Sequence, residues 1–320
     1  MQRYLINFSY IGTFFRGFQR QVTGVLPRQD DPSTIQGYLE MALQRIGAKN
    51  MPFIVGSSRT DSGVHALNSS CHVDLESPNG VPFEPRYVTS SMNKLLFGWD
   101  VPIKIINVHA VPDTFHCRHN AIKRTYLYKL IVIEPEVLTT HPLLQHIPIE
   151  LANRAWFPTC SEFDENYMRE TAKLFLGYHD FKSFSGADRN SQSYRKNKIT
   201  RRTITKLSID ESPMNLYSFY SLPTHGLNKQ AKYKSYDICI ESSGFLYNQV
   251  RRTVGCLVAA AQGKISVRDI KFMLEIPSRQ SWDPRIRTAP AYGLYLCQVH
   301  YNQSDIETFK EFLQDQDGRV

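Results

Sequence analysis

Residues 58 to 66 read Ser58-Arg59-Thr60-Asp61-Ser62-Gly63-Val64-His65-Ala66, so one short stretch holds a carboxylate, a guanidinium, small hydroxyl side chains and a glycine. A carboxylate in such company can attack an electrophilic carbon or take up a proton as a general base. The same residues also make an ordinary hydrogen-bonded turn, in which Asp61 accepts backbone N–H groups and pairs with Arg59. Residue types alone favour the turn.

His116, Cys117 and His119 raise the possibility of a metal. A tetrahedral site needs a further pair of ligands, and none stands at suitable spacing, so the expectation is no metal and a structural or polar-surface role. No glycine-rich phosphate loop of the P-loop or dinucleotide-binding kind is present, so no nucleotide cofactor is expected. Arg189, Arg195, Lys196, Lys198, Arg201 and Arg202 make the most basic stretch. It reads as a solvated loop or as an edge that tracks phosphates.

The elements that must hold these groups follow from periodicity. Arg3 to Tyr10 alternates as a strand, with Tyr4, Ile6, Phe8 and Tyr10 on one face. The spacing of Ile35, Leu39, Ala42, Leu43 and Ile46 predicts a helix, with Ser33 and Gln36 as its capping box and Gly47 as its stop. Phe53 to Ser57 and Leu67 to Leu75 read as strands on either side of the aspartate turn. Further strands are expected at Ile103 to Val111 and Thr125 to Ile133.

In the second half, a helix is expected around Tyr167 to Leu176, with strands at Thr203 to Ile209 and Tyr236 to Ile240. A long helix follows from about Leu246 to Gln262, then a shorter one from Val267 to Glu275 and a last strand from Leu294 to Tyr301. Segments 134–162, 185–200 and 211–234 lack sustained periodicity and read as surface insertions. Strands and helices come in runs without a strict strand-helix-strand repeat, which predicts an α+β protein with a largely antiparallel sheet.

The stretch around Asp61 resembles the catalytic loop of the TruA family of tRNA pseudouridine synthases, whose usual form is Gly-Arg-Thr-Asp-Ala-Gly-Val-His-Ala. Other stretches agree in the family's order. They are Gly17-Phe18-Gln19 with Gln21, Thr34-Ile35-Gln36, Arg118-His119-Asn120-Ala121 and Arg124-Thr125-Tyr126-Leu127-Tyr128. Gly177-Tyr178-His179-Asp180-Phe181, Arg202-Thr203-Ile204, Phe245 to Arg251 and Ala289-Pro290-Ala291-Tyr292-Gly293-Leu294 continue the series nearly to the end. The chain departs from the pattern at Phe18, where tryptophan is common, at Ser58 for glycine and at Ser62 for alanine. It is most similar to the family's eukaryotic tRNA pseudouridine synthase-like 1 subgroup.

The resemblance implies two α/β halves, residues 1–113 and 114–320, sharing a bent, largely antiparallel sheet with a basic central cleft. It implies that uridine is isomerised to pseudouridine in tRNA, with the anticodon stem-loop as the working target. Asp61 corresponds to the catalytic aspartate, Tyr126 to the tyrosine stacked on the base, Arg251 to the arginine beside the aspartate, and Arg59 to the residue that helps extrude the uridine. Such chemistry needs no cofactor. A homodimer and a mitochondrial location are further implications, with cytosol or nucleus as alternatives. The competing functions are an inactive RNA-binding protein or chaperone of the same fold, and a nucleoside hydrolase or RNA glycosylase that would release free base.

Composition agrees with a polyanionic partner. The 320 residues include 38 lysines and arginines against 30 aspartates and glutamates, a formal charge of +8. With 42% hydrophobic and 21% charged residues, the chain reads as globular, neither disordered nor membrane-spanning. Six cysteines without C-x-x-C spacing, and strand-like alternation starting beside Met1, read as a reduced intracellular protein without disulfides or a leader.

Overall fold

The computed structural model describes residues 1–20, 31–133, 147–159, 162–186, 199–212 and 233–306. The chain is α+β, as its sequence pattern predicts, and it divides into two compact units: Met1–Thr125 with Tyr295–Val320, and Tyr126–Leu294.

In the first unit, β1 (Gln2–Tyr10) lies between β3 (His65–Leu75) and β4 (Ile103–Val111), antiparallel to both, and the short β2 (Val55–Gly56) pairs with Cys71 and His72 along the other edge of β3. The last strand, β9 (Leu294–His300), returns to this unit. It runs parallel to β3 through His65–Tyr295 and Ala66–Leu296.

Two helices belong to this unit. Helix α1 (Ile35–Arg45) buries Ile35, Leu39, Ala42 and Leu43, the stripe its spacing predicts, and Gly47 takes φ +96° just beyond it. The cap differs from expectation. Thr34 accepts the Gly37 N–H at 3.2 Å, while Ser33 turns back to Asp31 and Gln36 donates to Glu40 and to the Ile54 carbonyl. Helix α2 (Pro85–Gly98) was not foreseen, because Val88, Met92 and Leu96 are its only buried side chains and polar residues fill the turns between. Tertiary contact with β4 stabilises it. There Asn93 exchanges two hydrogen bonds with the Ile105 backbone, 2.9 and 2.8 Å.

In the second unit the strand order is β5 (Lys123–Ile133), β8 (Tyr233–Ser242), β7 (Arg201–Glu211) and β6 (Gly177–Asp180). Arg201 and Arg202 of the basic stretch open β7; the other four lie outside the described residues. Helix α3 (Glu165–Ala172) packs on β7 and on α4 (Gln249–Ala261), and α5 (Val267–Glu275) has the Ser266–Asp269 capping box.

Helix α4 starts three residues later than its apolar spacing suggests. Asn248 takes φ 60° and ψ 5°, a left-handed conformation that no helix continues through. Eleven of its residues are buried, far more than one stripe.

Candidate active site

The segment from Ser57 to Val64 crosses from β2 to β3, and hydrogen bonds to both its backbone and its hydroxyl side chains tie it down. Ser57 donates its N–H to Ser70 at 3.0 Å. Arg124 donates to the Ser58 hydroxyl through Nε and to the Ser57 carbonyl, each at 3.0 Å. Tyr10 and Thr60 share a hydroxyl hydrogen bond of 2.7 Å, and Phe18 N–H reaches the Thr60 carbonyl at 3.2 Å. Ser62 donates to the Phe15 carbonyl, and Val64 N–H closes the turn on the Asp61 carbonyl. Gly63 stands at φ +83°, where any other residue would be strained.

A wall of backbone supports this turn. A Cβ at Gly12 would stand 1.8 Å from the Val64 carbonyl oxygen, so only glycine allows the approach, and Gly12 N–H donates to His65 Nδ1 at 3.1 Å. His65 in turn stacks on Tyr295 with ring centres 4.6 Å apart. Asp61 is thereby held partly exposed on an immobilised loop. Arg59 is exposed and makes no ion pair among the described residues.

Tyr126 and Arg251 belong to the second unit. Tyr126, on β5, is 9% exposed and meets the edge of Phe245 at 5.2 Å and 90°. Three residues on, Asn248 accepts from an Arg251 guanidinium nitrogen at 3.0 Å. Arg251 Nε donates to the Ala289 carbonyl at 2.8 Å, and Ala289 N–H returns a bond to the Arg251 carbonyl. Its neighbour Arg252 is differently employed. It donates to the Ser183 and Ser185 carbonyls and lies 4.5 Å above the Trp282 ring, and burial lowers its pKa. Of the two successive arginines, Arg252 is therefore a structural clamp.

Sequence reasoning gave no role to Arg124, Gly12 or Asn248. Arg124 opens the Arg124–Tyr128 motif, and Ser58, a departure from the family pattern, proves to be its acceptor. Gly12 has no local signal, since its requirement comes from a carbonyl fifty-two residues away. Asn248 is legible only in retrospect, as one of the few residues that tolerate the left-handed region. Replacing it tests that. Asn248→Gly should melt within a degree or so of wild type, whereas Asn248→Ala should cost about 1–2 kcal/mol through backbone strain. Equal melting of both variants would contradict it.

The histidine–cysteine stretch gains a member from β3. His72, His116 and Cys117 bring their ligand-type atoms within 4.8 Å of one another, a partner the sequence reading did not find. Their hydrogen bonds assign them other duties. His72 Nδ1 accepts the Cys117 N–H, His116 Nδ1 accepts the Arg118 N–H, and the Cys117 thiol donates to the Val55 carbonyl. In the neutral rings Nε2 then carries the proton and offers no lone pair to an ion. The cluster serves to fasten the 116–119 turn to β2 and β3.

Burial, with His116 and Arg3 nearby, lowers the His72 pKa to about 4, and burial pushes the Cys117 thiol up to about 12. A histidine whose pKa is depressed on folding stabilises fully above its ordinary value of 6.5 and loses that contribution as pH falls towards 4. Melting temperature should therefore fall between those limits, and the fall should be shallower in His72→Asn, whose carbonyl can still accept the Cys117 N–H. An unchanged pH slope in that variant would clear His72 of the effect.

The five described cysteines are free thiols, and no described helix is long and apolar enough to cross a membrane.

A family model described as tRNA pseudouridine synthase matches residues 171–302. The human protein named tRNA pseudouridine synthase-like 1 is 33% identical over 304 residues, 93% of this chain and 90% of its own. Its Xenopus laevis namesake is 32% identical over 96% of this chain and 94% of its own. The tRNA pseudouridine synthase A of Leuconostoc mesenteroides is 30% identical over 94% of this chain and all of its own length. Relatives that match this chain from end to end, from bacteria to vertebrates, establish that it belongs to the family of tRNA pseudouridine synthases.

Proposed function

We propose that this protein isomerises uridine to pseudouridine in tRNA, in the anticodon stem-loop, with Asp61 as the essential carboxylate. The observation that carries the reading is the Asp61 turn itself. Phe18 N–H and Arg124 hold its backbone at Thr60 and Ser57, and Tyr10 and the Phe15 carbonyl hold the Thr60 and Ser62 hydroxyls, while the aspartate stays partly exposed. A carboxylate held rigidly and open to solvent fits a group that meets substrate.

The reaction breaks the N1–C1′ bond of the uridine and joins C1′ to C5 of the same uracil; C5 releases its hydrogen as a proton and N1 takes one up. No electrons enter or leave. Asp61 acts either by attack at C1′ or by removing a proton from the sugar, and both require the ionised form. In the same reading Tyr126 offers an aromatic face to the base, Arg251 a positive charge to the carboxylate, and Arg59 a side chain that helps extrude the uridine. The half of the chain before residue 114 carries the aspartate, and the half after it carries the tyrosine and the arginine.

Transcripts of tRNA labelled with tritium at C5 of uridine test the activity directly. Tritium should appear in solvent with no free uracil, since an isomerase keeps its base and a glycosylase releases it. Free uracil would favour the hydrolase; binding without tritium release would favour an inactive RNA-binding protein. Mapping of the pseudouridines reports the target, and light scattering and cell fractionation report the dimer and the mitochondrial location read from resemblance.

Tyr126 has its own test. Tyr126→Phe should bind tRNA nearly as wild type does, and Tyr126→Ala should lose about 1–3 kcal/mol of stacking. Equal affinity of all three proteins in filter binding would leave Tyr126 a packing residue.

A further inference from the structure

Beside α4, in the second unit, lies a cavity of about 360 Å³ that the reading above does not use. Its size falls in the range of sites for small organic groups. The walls are of two kinds. Trp156, Phe157 and Tyr292 give aromatic surface, and Lys264, Arg285 and Arg287 give positive charge, with no carboxylate among the lining residues described.

The three cations are not equivalent. Arg285 is engaged by Asp283 at 2.6 Å and by Asp269 at 3.4 Å, so its charge is largely spent. Lys264 and Arg287 are exposed and make no ion pair among the described residues. Two unneutralised cations beside aromatic rings suit a ligand that joins an anion to a flat apolar ring, and a nucleotide is such a ligand.

The cavity is also built into the fold. Gly255 of α4 lines it, and a Cβ there would stand 2.2 Å from the Arg287 carbonyl oxygen, so glycine is what lets the Arg287 segment lie against the helix. Gly255 is four residues beyond Arg251, about 6 Å along the helix. A strand of RNA reaching Arg251 thus has this cavity within a nucleotide or so.

We propose that the cavity binds one nucleotide of the RNA substrate other than the one isomerised, its base beside Trp156 and Tyr292 and its phosphate on Lys264 and Arg287. The proposal rests on the tRNA reading above and adds to it a second point of grip, which would help choose the uridine that reaches Asp61.

Photocrosslinking of the unaltered protein tests it. Transcripts of tRNA carrying 4-thiouridine should crosslink to peptides containing residues 156–159 or 287–292, mapped by mass spectrometry. The variant Lys264→Gln/Arg287→Gln should lose that crosslink, bind tRNA roughly tenfold more weakly, and show a salt slope shallower by about 1.4, the value for two contacts on a single strand. Absence of crosslinks from both segments in tRNA shown to be bound, or unaltered affinity of the folded double variant, would overturn the proposal. Saturation of the cavity by free UMP without any RNA crosslink would also overturn it and mark a site for free nucleotides. Crosslinking there by a protein that releases no tritium would sink the synthase reading and leave this one standing.

Discussion

Asp61→Asn should abolish tritium release while leaving tRNA binding intact. Asparagine keeps the shape of the side chain and most of its hydrogen-bonding capacity, but it can neither attack a sugar carbon nor take a proton from one. Affinity for RNA comes mainly from phosphate contacts spread over many lysines and arginines, so one carboxylate contributes little to it. Removing a negative charge from a surface that meets phosphates should, if anything, strengthen binding slightly. The turn itself should persist, because its fixed points at Thr60, Ser62 and Val64 involve backbone and hydroxyl groups. A thermal melt checks that, and mass spectrometry excludes deamidation back to aspartate. Tritium release near the wild-type rate from a folded, undeamidated asparagine variant would remove Asp61 from the chemistry altogether.

The second large effect concerns a residue with no side chain. Gly12→Ala should destabilise the first unit by about 3 kcal/mol, lowering its melting temperature by roughly 6–12 °C, because the new Cβ collides with backbone that has nowhere to move. The atom it meets is the Val64 carbonyl oxygen, at the end of the Asp61 turn, so turnover should fall in the surviving folded fraction as well. Gly47→Ala is the control. That glycine has φ +96° and open space around its missing Cβ, so alanine there should cost only about 1 kcal/mol of backbone strain and leave turnover unchanged. Similar losses from the two variants would mean that the Gly12 contact does not hold the loop.

Much of the fold was legible because burial and hydrogen bonding impose short periods on a chain. The strand patterns of β1, β4 and β5, the apolar stripe of α1 and the short helix from Val267 to Glu275 all depend on residues a few positions apart, and the structure has each of them. Where the signal was weak or local rules conflicted, sequence reasoning failed. Helix α2 has too narrow a buried stripe to announce itself. The cap of α1 fell to Thr34 because Ser33 and Gln36 found other partners nearby, and α4 begins late because Asn248 interrupts a pattern that hydrophobicity alone would extend.

For the candidate site, the sequence by itself determined which residue types stand where: the carboxylate of Asp61, its neighbour Arg59, the ring of Tyr126 and the guanidinium of Arg251. It also carried enough ordered motifs to point to a family. Only the tertiary structure decided how each is held. Arg124 fastens the aspartate turn through Ser57 and Ser58, Gly12 gives way to Val64, and Ala289 with Asn248 fixes Arg251 while Trp282 claims Arg252. Those partners lie up to 67 residues apart in the chain. Local periodicity says nothing about such pairs, because they arise only when separate elements pack and each buried polar group must find whatever partner the packing leaves within reach.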